Sequence, residues 1–141
     1  MIVWDTSALI KCYGLEADHE RAVNLLTRER GHAGCVLLRL ETTSALSRRI
    51  GSGRALRDSL IGRAEDHLKL FDLLPLDSRL LDLGIRLILK HSLRATDSLH
   101  LAAAILLARE VGRRKLHFAT ADAEQAEAAA AENLKVLALA R

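Results

Sequence analysis

The sequence predicts an α/β fold, a parallel β-sheet covered by helices on both faces. Two observations lead there. Short apolar runs alternate with longer segments of helical periodicity along the whole chain, and that alternation marks a parallel sheet covered on both faces. The first of these runs passes directly into residues that favour a helix start, Asp5-Thr6-Ser7. A length of 141 residues fits one domain, residues 1–141, with room for a substantial core.

Each element has its own signal. Ile2, Val3 and Trp4 read as a buried strand, and Asp5 ends it at the start of a helix. Residues 19–30 place Ala22, Val23, Leu25 and Leu26 on one helical side. A second strand is expected at 35–38, followed without a turn residue by a helix at 41–50. Gly51-Ser52-Gly53 punctuates its end. The spacing of Leu56, Leu60, Ile61, Ala64 and Leu68 predicts a helix over 56–70. The apolar run 73–76, which contains Pro75, reads as the third strand. Helices follow at 79–89 and 95–110, the second being the longest and most apolar, and Gly112 marks its end. Strands at 116–119 and 136–139 flank an alanine-rich segment. Crossovers are expected to be right-handed, while strand order is not readable from one sequence.

Composition excludes several classes. The aromatics are only Trp4, Tyr13, Phe71 and Phe118, too few for a base-stacking platform. Cys12 and Cys35 make neither a disulfide framework nor a CxxC pair. No apolar run approaches the roughly 20 residues of a membrane span, and no secretion signal is visible, so a cytoplasmic protein is expected. No phosphate-binding glycine loop, nucleophile elbow or dinucleotide fingerprint occurs. The net charge is +3, but residues 39–63 carry six arginines against Glu41 and Asp58. Residues 119–134 carry four acids and no base. Arginine outnumbers lysine 16 to 5 throughout, so the basic segment also fits a compositional habit.

The chemistry-bearing pattern is a set of acids at element ends. Asp5 follows the first strand, Glu41 comes three residues after the expected second strand, and Asp122 comes three residues after another. Asp97 lies near the start of the long apolar helix. In a parallel sheet, Asp5, Glu41 and Asp122 share one edge, and Asp97 joins them if its helix begins there. Every acid also has a local explanation: Asp5 and Asp122 as helix caps, Glu41 as a complement to the helix dipole, Asp97 beside a Thr96 cap. Asp77, after Leu73–Leu76, has the same local look and is assigned no chemistry. Convergence would distinguish the four, because crowded carboxylates need a compensating cation, and oxygen donors suit magnesium. His100 and His117 are candidates for a histidine general base, but a lone histidine on a helix or strand is more often a packing residue.

The stretches DTSAL, RATDSLHLAAA and TAD, with Glu41 between them, resemble the PIN domain, and within it the VapC toxins of type II toxin–antitoxin systems. The resemblance spans residues 2–139. It implies a three-layer α/β/α sandwich with a central parallel sheet, and a Mg2+- or Mn2+-dependent endoribonuclease. Carried over, Asp5, Glu41, Asp97 and Asp122 match the family acids, with Asp5 and Asp97 as metal ligands and the other two completing the site. Thr6, Ser7 and Thr120 match hydroxyl positions that orient the acids or the attacking water. The implied partners are an RNA substrate, a VapB-like antitoxin and a second copy in a homodimer. Arg48, Arg49, Arg54 and Arg57, with Arg94 near the site, are candidates for holding the RNA backbone. A groove near Leu9, Ile10, Tyr13, Leu25 and Leu26 is the candidate antitoxin seat. The segment after Asp122, AEQAEAA, departs from the basic or aromatic residue often found there in the family, which puts substrate contacts at that point in doubt. Two rivals share the pattern: an RNA-processing or DNA-directed PIN nuclease outside a toxin pair, and a PIN module that binds without cutting.

Overall fold

The computed structural model describes residues 1–14, 16–49 and 53–141. The strands are β1 (Ile2–Trp4), β2 (His32–Cys35), β3 (Asp72–Leu74), β4 (His117–Thr120) and β5 (Lys135–Ala138). They form one parallel sheet in the order β3-β2-β1-β4-β5. Helices α1 (Thr6–Leu9), α2 (His19–Arg28), α3 (Leu37–Ser47), α4 (Arg54–Leu68), α5 (Ser78–His91), α6 (Ala95–Val111) and α7 (Ala123–Ala131) join them. A 3-10 turn, Ile10–Tyr13, extends α1. The result is an α/β/α sandwich.

Side chains alternate across a strand, so β1 feeds two cores. Ile2 and Trp4 pack on one face with Leu9, Leu38, Leu46 and Leu68. Val3 packs on the other with Phe118 and the α5–α6 pair. Helix α6 is buried from His100 to Ala108. Its alanines let it lie close under the sheet, while α5 shields its far side.

The chain winds from β1 outward to β2 and β3, then returns to the other side of β1 for β4 and β5. Strand order therefore reverses between β1 and β4. The loops leaving the carboxyl ends of these two neighbours diverge, which opens a crevice of the kind where open α/β sheets bind ligands. Asp5 follows β1 and Asp122 lies two residues beyond β4.

The second strand is misplaced by the sequence reading. The chain extends at 32–35 and is already helical at Leu37. Val36-Leu37-Leu38 is an apolar run without decisive period, and Leu38 is buried as a helical residue in the Trp4 core. Glu41 is thus the fifth residue of α3 rather than in its first turn. The third strand stops at Leu74 before Pro75, which cannot donate to a ladder. The fourth and fifth strands shift by one residue. Gly51 and Ser52, with the expected helix end at 50, lie outside the described residues.

Candidate active site at the β1–β4 crevice

Asp5 is the best-buried acid, 2% exposed, and its carboxylate does not cap α1. The backbone carbonyl opens that helix instead, accepting from Ala8 N and Leu9 N at 3.2 and 3.1 Å. Oδ2 accepts hydrogen bonds from the hydroxyls of Ser7 and Thr120, the second at 2.9 Å. Those hydroxyls are themselves anchored to backbone. Ala121 N donates to Ser7 Oγ at 2.9 Å, and Asp122 N donates to Thr120 Oγ1 at 3.0 Å. Asp5 N donates to Ala119 O at 2.9 Å, which carries the β1–β4 ladder into the site. Thr120 and Ser7 thus tie the ends of two strands to one carboxylate.

Glu41 enters from α3 and Asp97 from the first turn of α6. Thr6 Oγ1 donates to Glu41 Oε1 at 3.1 Å, and His100 Nε2 bonds the same oxygen. Burial opposes ionisation of Glu41, but the bonds from His100, Thr6 and Thr96 outweigh it and hold the carboxyl below its usual range. His100 is fully buried. Burial disfavours its charged form, yet Glu41, Asp5 and Asp97 raise its affinity for a proton. Among the described residues no protein group hydrogen-bonds the Asp97 carboxylate. Burial, then the charges of Asp5 and Asp122, push it up to about 6.

Asp122 does two things. Its Oδ1 caps α7 by accepting from Gln125 N at 2.9 Å, and its charge reaches Asp97. The Arg141 guanidinium stands 3.9 Å from Oδ2. Asp77, the internal control, caps α5 through Leu80 N at 2.9 Å and is absent from the set that acts on Asp97.

The four acids thus come from four elements, and Asp97 feels the other three as like charges. Like charges at close range are stable when a cation compensates them. The donors are all oxygen, which suits a hard divalent ion such as Mg2+ or Mn2+ and not zinc. Among the described residues, no three histidine, cysteine or acidic side chains form a ready-made cage. Magnesium does not need one, since it keeps several waters and takes one or two carboxylates plus substrate oxygens. The residues present therefore fit the ion.

The arginines divide. Arg94 is exposed at the N-cap of α6, three residues before Asp97. Arg48 closes α3, seven residues beyond Glu41 and so roughly 10 Å along the helix axis from it. Arg54 is exposed at the start of α4. Arg49 is bound to Glu16, which also stands 3.7 Å from the buried Lys11, and Arg57 pairs with Asp58 at 3.2 Å. The expected apolar groove is displaced. Leu9 belongs to the core, and a groove of about 700 Å³ lies instead among Tyr13, Val23, Leu46, Leu56 and Leu60, rimmed by Arg49, Arg57 and Arg63. Of the five residues expected to line it, only Tyr13 does.

Sequence reasoning favours packing for His100; the structure buries it and also brings its ring to Glu41. Its signal lay in TDSLH: residues three apart on a helix share a face, so His100 follows Asp97 to the same place.

Comparison with known proteins agrees with this architecture. No curated protein sequence matches significantly. Among solved structures, the chain is similar to FitAcB from Neisseria gonorrhoeae, at 20% identity over 97% of this chain and 96% of that one, with a TM-score of 0.67. It is similar to PAE2754 from Pyrobaculum aerophilum, at 19% identity over 90% and 83%, with a TM-score of 0.61. VapBC2 from Rickettsia felis, solved bound to a DNA fragment from its promoter, is similar at 12% identity over 99% of both chains, with a TM-score of 0.66. These likenesses concern the fold. The family model described as PIN domain matches residues 2–131, a span that includes all four acids. The chain belongs to the PIN domain family.

Proposed function

We propose that this protein is a Mg2+- or Mn2+-dependent endoribonuclease and the toxin of a toxin–antitoxin pair. The observation that carries this is the placement of four acids from four elements at the β1–β4 crevice. Asp5 is held by Ser7 and Thr120, Glu41 by Thr6 and His100, Asp97 stands in the first turn of α6 and Asp122 caps α7. The proton affinity of Asp97 is raised first by burial and then by the charges of the other three. Asp5 and Asp97 hold the ion, and Glu41 and Asp122 complete its surroundings directly or through water. When bound, the ion supplies positive charge to a phosphodiester's oxygens and makes a water more acidic.

The chain's own residues do the rest. Ser7 and Thr120 orient Asp5, and Thr6 orients Glu41. Attack by water needs no protein nucleophile, and among the described residues the crevice hydroxyls of Thr6, Ser7 and Thr120 are bonded to the acids. Ser7 is committed to Asp5 and Ala121, and burial pushes the Cys12 thiol up to about 12 and raises that of Cys35. Arg94, Arg48 and Arg54 present exposed charge for the RNA backbone, with affinity that falls as salt rises. The antitoxin contributes an apolar segment to the groove between Tyr13 and Leu60.

The test is incubation of the purified chain with total RNA in Mg2+, Mn2+ and EDTA, beside an Asp5→Ala/Asp97→Ala variant. Metal-dependent cleavage lost in the variant is the expected result. Cleavage of DNA but not RNA would move the protein to the DNA-directed nucleases. No cleavage in any metal, together with RNA binding, would make it a binding module.

A further inference from the structure

Resting on the metal-site reading above, we infer that His100 is a positioning residue that pins the Glu41 carboxylate within the acid cluster. The hydrogen bonds fix where its proton sits. Thr6 Oγ1 gives its proton to Glu41 Oε1 at 3.1 Å, so toward His100 Nε2, 3.3 Å away, it acts as an acceptor. The second contact of Nε2 is Glu41 Oε1, also an acceptor. Both require Nε2 to carry hydrogen. His100 Nδ1 is buried and has no partner among the described residues.

That arrangement is costly for a mere filler. The next eight residues of α6, Leu101 to Ala108, are all buried and apolar. An aliphatic side chain at 100 would fill the space without leaving a nitrogen unpaired, and unpaired buried polar atoms are destabilising. The ring's only polar return is at Nε2, on Glu41 and Thr6. Glu41 needs such a hold. It sits mid-helix on α3 with several rotatable bonds, whereas Asp5 is held through two hydroxyls and Asp122 through its cap. The partners that orient a metal ligand are worth roughly 10- to 100-fold in metal affinity.

The experiment titrates Mn2+ into the purified full chain, with free Mn2+ read by electron paramagnetic resonance, for wild type, His100→Leu and His100→Gln. The leucine variant keeps the bulk and loses the donor. The glutamine amide restores an N–H at comparable reach. The expected result is binding weakened roughly 10- to 100-fold in His100→Leu and largely recovered in His100→Gln, with both variants melting cooperatively. Wild-type affinity in the leucine variant, or equal weakness in both folded variants, overturns the proposal. Should the leucine variant not fold, the wild type answers alone. Its imidazole Nε2–H resonance is expected to move on addition of Mg2+ and on Glu41→Ala, and a resonance indifferent to both overturns the proposal. Wild type that binds no Mn2+ overturns the metal-site reading itself.

Discussion

Asp97 is the residue whose titration reports the site. Its carboxyl rises from 3.8 in the ordinary range to about 6 in the folded protein. Between these values the folded state holds more protons than the unfolded one, so this group makes stability fall as pH rises from about 4 to about 6. Asp97→Asn removes the effect. Without divalent cations, the variant and wild type should melt together near pH 4, and the variant should melt several degrees higher at pH 7. Equal melting temperatures at both pH values would remove the crowding account. Asp77 gives the complementary case. Asp77→Ala loses the bond to Leu80 N and should cost about 1 kcal/mol in denaturant unfolding, with RNA cleavage unchanged. Asp5, Asp97 and Asp122 were legible at element ends, whereas Glu41 sits mid-helix in α3 and falls in a first turn only if the second strand is placed three residues too late. What separates them from Asp77 was not, because Asp5, Asp97 and Asp122 open helices as Asp77 does, and only the fold brings them to Glu41. His100 escaped for the same reason: its partner is 59 residues away.

At the scale of elements, the site depends on how closely α3 packs over β2 beside β1. Gly34 lies in β2 where a Cβ would run into Leu38 Cδ1 and stand 3.3 Å from the Trp4 carbonyl. Leu38 is fully buried, so it has little room to yield, and the carbonyl belongs to the strand that delivers Asp5. Gly34→Ala should therefore destabilise the fold by roughly 1–3 kcal/mol, measured by denaturant unfolding, and should reduce metal affinity as well by disturbing the spacing of Asp5 and Glu41. A neutral effect would show that this contact is slack. Helix α6 was legible from its length and apolarity, and α5 from its period. The start of α3 was not. Val36-Leu37-Leu38 satisfies a strand or a helix equally well, and tertiary burial of Leu38 decided between them.

For the whole molecule, the decisive feature is the reversal of strand order between β1 and β4. Alternating strands and helices made a parallel sheet readable, but strand order depends on long-range pairing that leaves no local mark. Among the described residues no helix is long and apolar enough to cross a membrane. The charge pattern also changes meaning in three dimensions. Arg48 and Arg54 are exposed, while Arg49 is bound to Glu16. Arg48→Gln/Arg54→Gln should weaken RNA binding and flatten the log–log salt dependence by roughly one to two. Arg49→Gln should lower stability with little change in that slope. A salt slope unchanged in the double variant would take these two residues out of the RNA path.

On the proposed function, Asp5, Glu41, Asp97 and Asp122 together make a divalent-ion site. The most direct measurement is Mn2+ binding at neutral pH by wild type and by Asp5→Asn/Asp97→Asn, with folding of both checked by melting. Saturable binding in wild type and its loss in a folded double variant is the predicted result. Equal binding by the two, or none by wild type, would contradict it.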